Sequence, residues 1–212
     1  MSKQTGKDEE LVKTSLPDRR TIEVEIVGDS TLITNRFSDK AQDAIAEKQT
    51  SKQKGGKNAK ADRPPIDPEQ MYEDSKYRHP GNKDVLVFPG GGIKKCIEEA
   101  APYAGAYKTR VQAAIFVMEE WPELKFEDVR MRRDMPPTKA GTPHTTYRAE
   151  FVGWFMKFPV LFDATQFSVE DVINLFERGG FHIGIGEWRP KGKRGGSGMH
   201  GMFHVRKKGE KV

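Results

Sequence analysis

Between Arg189 and Arg194 four of six residues are cations, namely Arg189, Lys191, Lys193 and Arg194, and Gly192, Gly195 and Gly196 are set among and after them. Guanidinium and ammonium groups neutralise phosphates, and glycine, lacking a Cβ, lets the main chain approach a sugar–phosphate backbone closely. Trp188 stands immediately before this run and offers an indole face on which a base can stack, a contact worth roughly 1–3 kcal/mol. Its alternative reading is core or rim packing, with the loop a simple turn. A second glycine cluster, Gly90, Gly91 and Gly92, opens a helix that carries Lys94 and Lys95. Backbone N–H groups at such a helix start are unencumbered, and the helix dipole favours an anion there. Arg130 and Arg132 alternate along an extended run and project together from one side of a sheet. Arg36 adds a further cation to the candidate phosphate contacts.

Other chemistries are poorly served. The stretch FPGGGIKK lacks the spacing of a phosphate-binding nucleotidase loop, and GIGEWR places Arg189 where a dinucleotide fingerprint needs glycine. Of the five histidines, His200 and His204 are four apart, but Gly201 lies between them and an HExxH pattern is missing, so no metal site is assigned. No GxSxG elbow occurs. His200 is conceivable as the general base of an RNA-cleaving site, yet the sequence supplies it with no partner. We therefore expect no catalytic residue, no cofactor and no metal. Cys96 is the only cysteine, which rules out an intramolecular disulfide and a thiolate cage, and suits a reducing compartment.

The elements that position these residues follow from periodicity. Ile22, Val24 and Ile26 alternate with Glu23 and Glu25 as in a half-exposed strand, and the turn at Gly28 and Asp29 leads into a second extended run, STLITN. Ser38 is placed to cap a short helix with Ala41, Ala44 and Ile45 on one face. Residues 48–65 hold many lysines and almost nothing apolar, and read as a flexible basic insertion. Residues 85–88 read as a strand and 89–92 as a turn. Ile93, Cys96, Ile97, Ala100 and Ala101 then form one stripe of a helix that Pro102 and Gly105 end. Val111, Ala113, Ile115 and Val117 alternate and predict another strand, as do Val129 and Met131 opposite Arg130 and Arg132. Residues 144–163 supply one or two more, with Pro159 predicting an edge or a bulge. Ser168, Asp171 and Gly179 bracket a helix with Val169, Val172, Ile173 and Phe176 inward. Residues 181–185 and 202–205 are read as the arms of a C-terminal hairpin around the glycine-rich loop. This order predicts an α+β, ferredoxin-like antiparallel sheet with two covering helices.

Composition sets the frame. The 212 residues carry a net charge of +5 and a pI near 9.2, a balance that favours a polyanionic partner. Residues 1–20 read as a flexible arm, 21–208 as a single domain with its insertion, and 209–212 as a tail. No apolar run approaches the ~20 residues of a membrane span, so we expect a cytoplasmic protein without a membrane partner.

Two segments resemble the RAMP superfamily, the RRM-like proteins that form backbone subunits of CRISPR effector complexes. VFPGGGIKKCIEEAA is similar to that superfamily's strand, glycine turn and lysine-bearing helix. VEDVINLFERGG, followed by HIGIGEWRPKGKRGGSGMHGMFHV, is similar to its C-terminal helix and glycine-rich loop. LITNRFSDKAQDAIAEKQ and GIGEWRP also resemble segments of uncharacterised bacteriophage proteins, which would place the chain in a host cytoplasm. The resemblance implies an RRM-like core, nucleic-acid binding without base readout, and head-to-tail self-association along a strand of RNA or single-stranded DNA, as in a filament. Two alternatives stand beside it: a protein-interaction or virion assembly module, and a ribonuclease like the processing members of the superfamily.

Overall fold

The computed structural model describes residues 16–36, 67–135, 145–191 and 198–207. The expected helix at Ser38 and the insertion 48–65 lie outside them, as do Gly192, Lys193, Arg194, Gly195 and Gly196.

The strand read at Ile22 is β1 (Arg19–Gly28), and its alternation holds: Val24 and Ile26 are buried while Glu23 is exposed. β1 pairs antiparallel with β8 (Phe155–Asp163) on one side and with β9 (Phe203–Val205) on the other, and β5 (Ile115–Val117) adds to β8. The resulting order β5-β8-β1-β9 is wholly antiparallel. Helix α2 (Gly90–Ala100) lies in sequence between β1 and β5, and α4 (Val169–Arg178) between β8 and β9. That is a βαββαβ unit, and both helices cover the Val24 and Ile26 face, where Phe158 meets Phe176 at 5.9 Å. The chain is thus an α+β protein with antiparallel sheets and two covering helices, as its periodicity predicts, with four α-helices among the described residues.

Two additions interrupt the unit. β2 (Leu32–Ile33), β6 (Asp128–Asp134) and β7 (Thr146–Val152) form a second sheet in the order β2-β7-β6. Helix α1 (Pro68–Asp74) precedes the small hairpin of β3 (Arg78–His79) and β4 (Asn82–Leu86). α1 buries no residue, so it has no apolar stripe to betray it. It starts because Asp67 accepts the N–H groups of Glu69 and Gln70 and Pro68 occupies the first turn.

Three expectations require correction. Residues 108–114 form helix α3 (Lys108–Ala114), and only β5 after it is extended. Alternating alanines fit both periods, and here Val111 and Ala114, three apart, are buried while Ala113 is exposed. Pro159 sits inside the sheet, on β8 between β5 and β1. Its carbonyl accepts Met118 N–H, so its missing donor points to the same side, just past the three-residue end of β5, where the ladder does not call for it. The C-terminal hairpin does not form: α4 continues into a π-helical turn (Gly179–Ile183), and β9 pairs with β1 instead. Gly180 permits this close approach, since a Cβ there would lie 1.7 Å from the Phe203 carbonyl oxygen.

Candidate nucleic-acid interface

The glycine-rich loop leaves the π-turn at Gly184 and returns through residues 198–201. Ile185 N–H donates to the Gly201 carbonyl, His200 N–H to Trp188 and Gly198 N–H to Arg189, so the two limbs form a narrow irregular ribbon. Bonds from Glu187 N–H to Ile33 and from Gly201 N–H to Thr31 lay that ribbon against β2 and the residue before it. The base of the loop is therefore pinned to the second sheet, and Lys191 N–H is bonded to the Ile183 carbonyl. Trp188 is 42% exposed and holds a left-handed φ of 55°. Arg189 turns back on its own loop, donating to the carbonyls of Lys191 (3.0 Å) and Gly186 (3.3 Å), and so braces the ribbon. Lys191 is exposed, with its Nζ 5.7 Å from the centre of the Tyr103 ring.

His200 joins loop and sheet. Its Nδ1 lies 2.8 Å from Thr31 Oγ1, which donates to Glu150 at 2.8 Å, and its Nε2 lies 3.4 Å from Arg132 Nη1. Because the Thr31 proton goes to Glu150, Nδ1 carries the imidazole proton toward Thr31 and Nε2 keeps its lone pair. Burial, reinforced by the Arg132 charge, holds the imidazole below its ordinary value. This partnership was invisible in the sequence, where Thr31, Arg132, Glu150 and His200 are scattered. Arg132 is also bound to Asp134 (2.9 Å) and Glu150 (3.1 Å), and Arg130 to Asp128 (2.8 Å). Both sheet arginines thus project as read from the sequence but stand beside carboxylates.

The glycine turn behaves differently from the loop. Gly90 N–H is bonded to the Glu120 carbonyl, and a Cβ at Gly90 would meet the Glu119 oxygen at 2.1 Å, so this glycine answers to packing. Gly91 and Gly92 are exposed. Lys94 donates to the Gln112 carbonyl and lies over the Phe116 ring at 4.1 Å, tying α2 to α3 and β5. Lys95 stands 3.8 Å from Glu98. No contact among the described residues links either lysine to the loop.

Arg36 lines a groove of about 650 Å³ together with Tyr77, Arg78, His79, Lys83 and Trp121. Burial first, and then the charge of Glu187, raise the Tyr77 hydroxyl, which Arg36 opposes. Tyr77 therefore senses both Arg36 and Glu187. Glu73 binds both Lys76 (2.7 Å) and Arg78 (2.7 Å) on its wall, and the Lys76 bond leads in holding its carboxyl below the usual range. Sequence reasoning passed over this groove, although its signal was legible: KYRH, residues 76–79, interleaves cations with an aromatic ring. Among the described residues, no group of three or more His, Cys, Asp or Glu is placed to hold a metal ion, and no helix is long and apolar enough to cross a membrane.

A βαββαβ sheet covered by two helices, with a glycine-rich loop before its last strand, places the chain among RRM-like α+β folds. No protein-family model matches the chain, nor does any curated protein. Among solved structures it is similar to a chain of the type III-B Cmr-beta bound to cognate target RNA, with a TM-score of 0.51 and 10% identity over 89% of this chain and 59% of that one. It is also similar to Cmr6 from Pyrococcus furiosus, with a TM-score of 0.40 and 8% identity over 90% of this chain and 100% of that one. The chain spans about three-fifths of the Cmr-beta chain. At this identity the likeness is one of fold alone.

Proposed function

We propose that the protein binds single-stranded nucleic acid through charge and stacking, without reading its sequence and without turning it over. The observation that carries this is the loop. Its base is bonded to the second sheet, Trp188 stands exposed on it beside Arg189 and Lys191, and Arg132 meets it through His200. Phosphate contacts position a strand and carry no base information, so low specificity follows. A fold shared with a protein solved on its target RNA supports RNA as the first strand to test. In this reading protomers associate along the strand, in the manner of a phage-type protein acting in the host cytoplasm.

The test is binding of labelled single-stranded and duplex RNA and DNA at two salt concentrations. Charge reversal at Lys191, Lys193 and Arg194 should weaken binding and flatten the slope of log affinity against log salt by about 2, from ~0.7 per lost phosphate contact on a single strand. An unchanged slope removes these contacts. No shift of any strand by the parent protein at low salt favours the interaction or virion assembly module instead.

The Glu150–Thr31–His200 chain favours a second reading, a ribonuclease. His200 Nε2 would accept the 2′-hydroxyl proton as that oxygen attacks the adjacent phosphorus. The 5′ oxygen would leave with a proton from water, giving a cyclic phosphate and a 5′-hydroxyl. It ranks second because Arg132, the cation beside Nε2, is already bound to two carboxylates. Fragments produced from labelled RNA by the parent and not by His200→Ala would establish it.

A further inference from the structure

We infer that Phe181, His182 and Tyr103, with Lys191 and Arg178, form a second stacking platform for the same strand, on the helical side of the loop. This rests on the nucleic-acid reading above. Its origin is local. A Cβ on Gly179 would press on Cys96 Sγ at 3.3 Å, and one on Gly180 would overlap the Phe203 carbonyl, so the π-turn lies flush against α2 and β9. Gly184, at φ 68°, closes the turn by donating to the Gly179 carbonyl at 2.9 Å. With Ile183 filling the inward position, Phe181 is driven out and is 65% exposed. A π-helical turn of this kind interrupts regular geometry and is found most often where a side chain must be aimed.

The side chains beside Phe181 are arranged as a binding surface. Tyr103, 45% exposed, stacks on His182 with ring centres 4.4 Å apart and planes 10° from parallel. Phe181 stands edge-on to His182 at 5.0 Å and 89°, so two ring directions meet at one corner. Phe181, His182 and Arg178 border a hollow of about 380 Å³. Arg178 also borders a neighbouring hollow of about 360 Å³, and it makes no hydrogen bond or ion pair among the described residues. Glu177, which accepts Val205 N–H, lines the first hollow with Arg178, and Asp171, which caps α4, lines the second. Exposed rings with the exposed Arg178 guanidinium at one end and the Lys191 ammonium at the other suit a base flanked by phosphates. A purely apolar protein side chain would leave both cations unused.

The experiment uses the full chain and a single-stranded RNA with one 2-aminopurine. Phe181→Ala should weaken binding about tenfold, the effect of losing one stacked base, and reduce the quenching of 2-aminopurine emission relative to the parent. The salt slope should stay unchanged because no charge is removed, and Phe181→Trp should restore affinity. Arg178→Glu should lower the slope. Parent binding with both affinity and quenching unaltered by Phe181→Ala overturns this inference and leaves the proposed function standing. Failure of the parent to bind any strand overturns both. A change in oligomeric state on Phe181→Ala, at unchanged strand affinity, assigns this face to a protein contact and overturns it as well.

Discussion

Trp188 shows how one residue distinguishes binding from packing. Among the described residues it is the only non-glycine side chain with a left-handed φ, a conformation that costs a bulky residue about 1–3 kcal/mol. A tryptophan kept there for packing would repay the strain in stability, and one kept for stacking would not. Trp188→Gly should therefore leave the thermal midpoint level or raised while strand affinity falls. A lowered midpoint with unaltered affinity would make it a packing residue. His200 carries a pH dependence whose sign is set by burial and Arg132. Its folded value lies below the unfolded one, so its contribution is complete above about 6.5 and is lost as pH falls through the folded value. Between pH 7.5 and 5, the parent should lose more thermal stability than His200→Gln. Equal losses would show that the imidazole is not held by this network.

At the scale of elements, α4 is the piece on which the loop and the aromatic corner both hang. Its start is secured by reciprocal bonds, Asp171 N–H to Ser168 Oγ at 3.1 Å and Ser168 N–H to Asp171 Oδ2 at 2.9 Å. Ser168→Ala should cost about 1 kcal/mol in a urea unfolding curve; a midpoint equal to the parent's would mean the cap is not used. Its far end depends on Gly180. Gly180→Ala pushes β9 off β1 by way of the Phe203 carbonyl and should cost about 1–3 kcal/mol, an overpacking penalty, in the same assay. Ser168→Ala lies away from the proposed strand contacts, so its affinity measured well below the unfolding transition should follow the parent's.

The whole molecule segregates its charge. On the face of the main sheet opposite the helices, Glu23 is 3.7 Å from Lys157, Glu25 is bound to Arg206, and Asp29 meets His204 at 2.6 Å. An RRM-like sheet face with paired charges, its Phe155 beneath Arg206, has little field and few open rings to offer a strand. The excess of 36 basic over 31 acidic residues is therefore best offered away from this face, as at the exposed Lys191. Strand edges are also left for company: β5, β6 and β9 border their sheets among the described residues. If protomers line up along a strand, mass photometry should count several on a 60-nucleotide RNA and one on a 15-nucleotide RNA. A single protomer on both would remove self-association from the proposal.

Much of this was decided by local sequence. The period-two pattern of Ile22, Val24 and Ile26, the Ser168–Asp171 cap, the stripe from Ile93 to Ala101 and the cationic loop are all short-range features, since propensity, capping and charge act between neighbours in the chain. What lay beyond reach depends on approach between distant segments. That Gly90 is shaped by Glu119 and Gly180 by Phe203, that Pro159 is tolerated inside a sheet, and that His200 meets Thr31, Glu150 and Arg132 are facts of packing. Contact energies of this kind overrule local preference, and only the tertiary structure, by bringing those atoms within a few ångströms, turned a run of glycines and cations into an anchored loop with two aromatic neighbours.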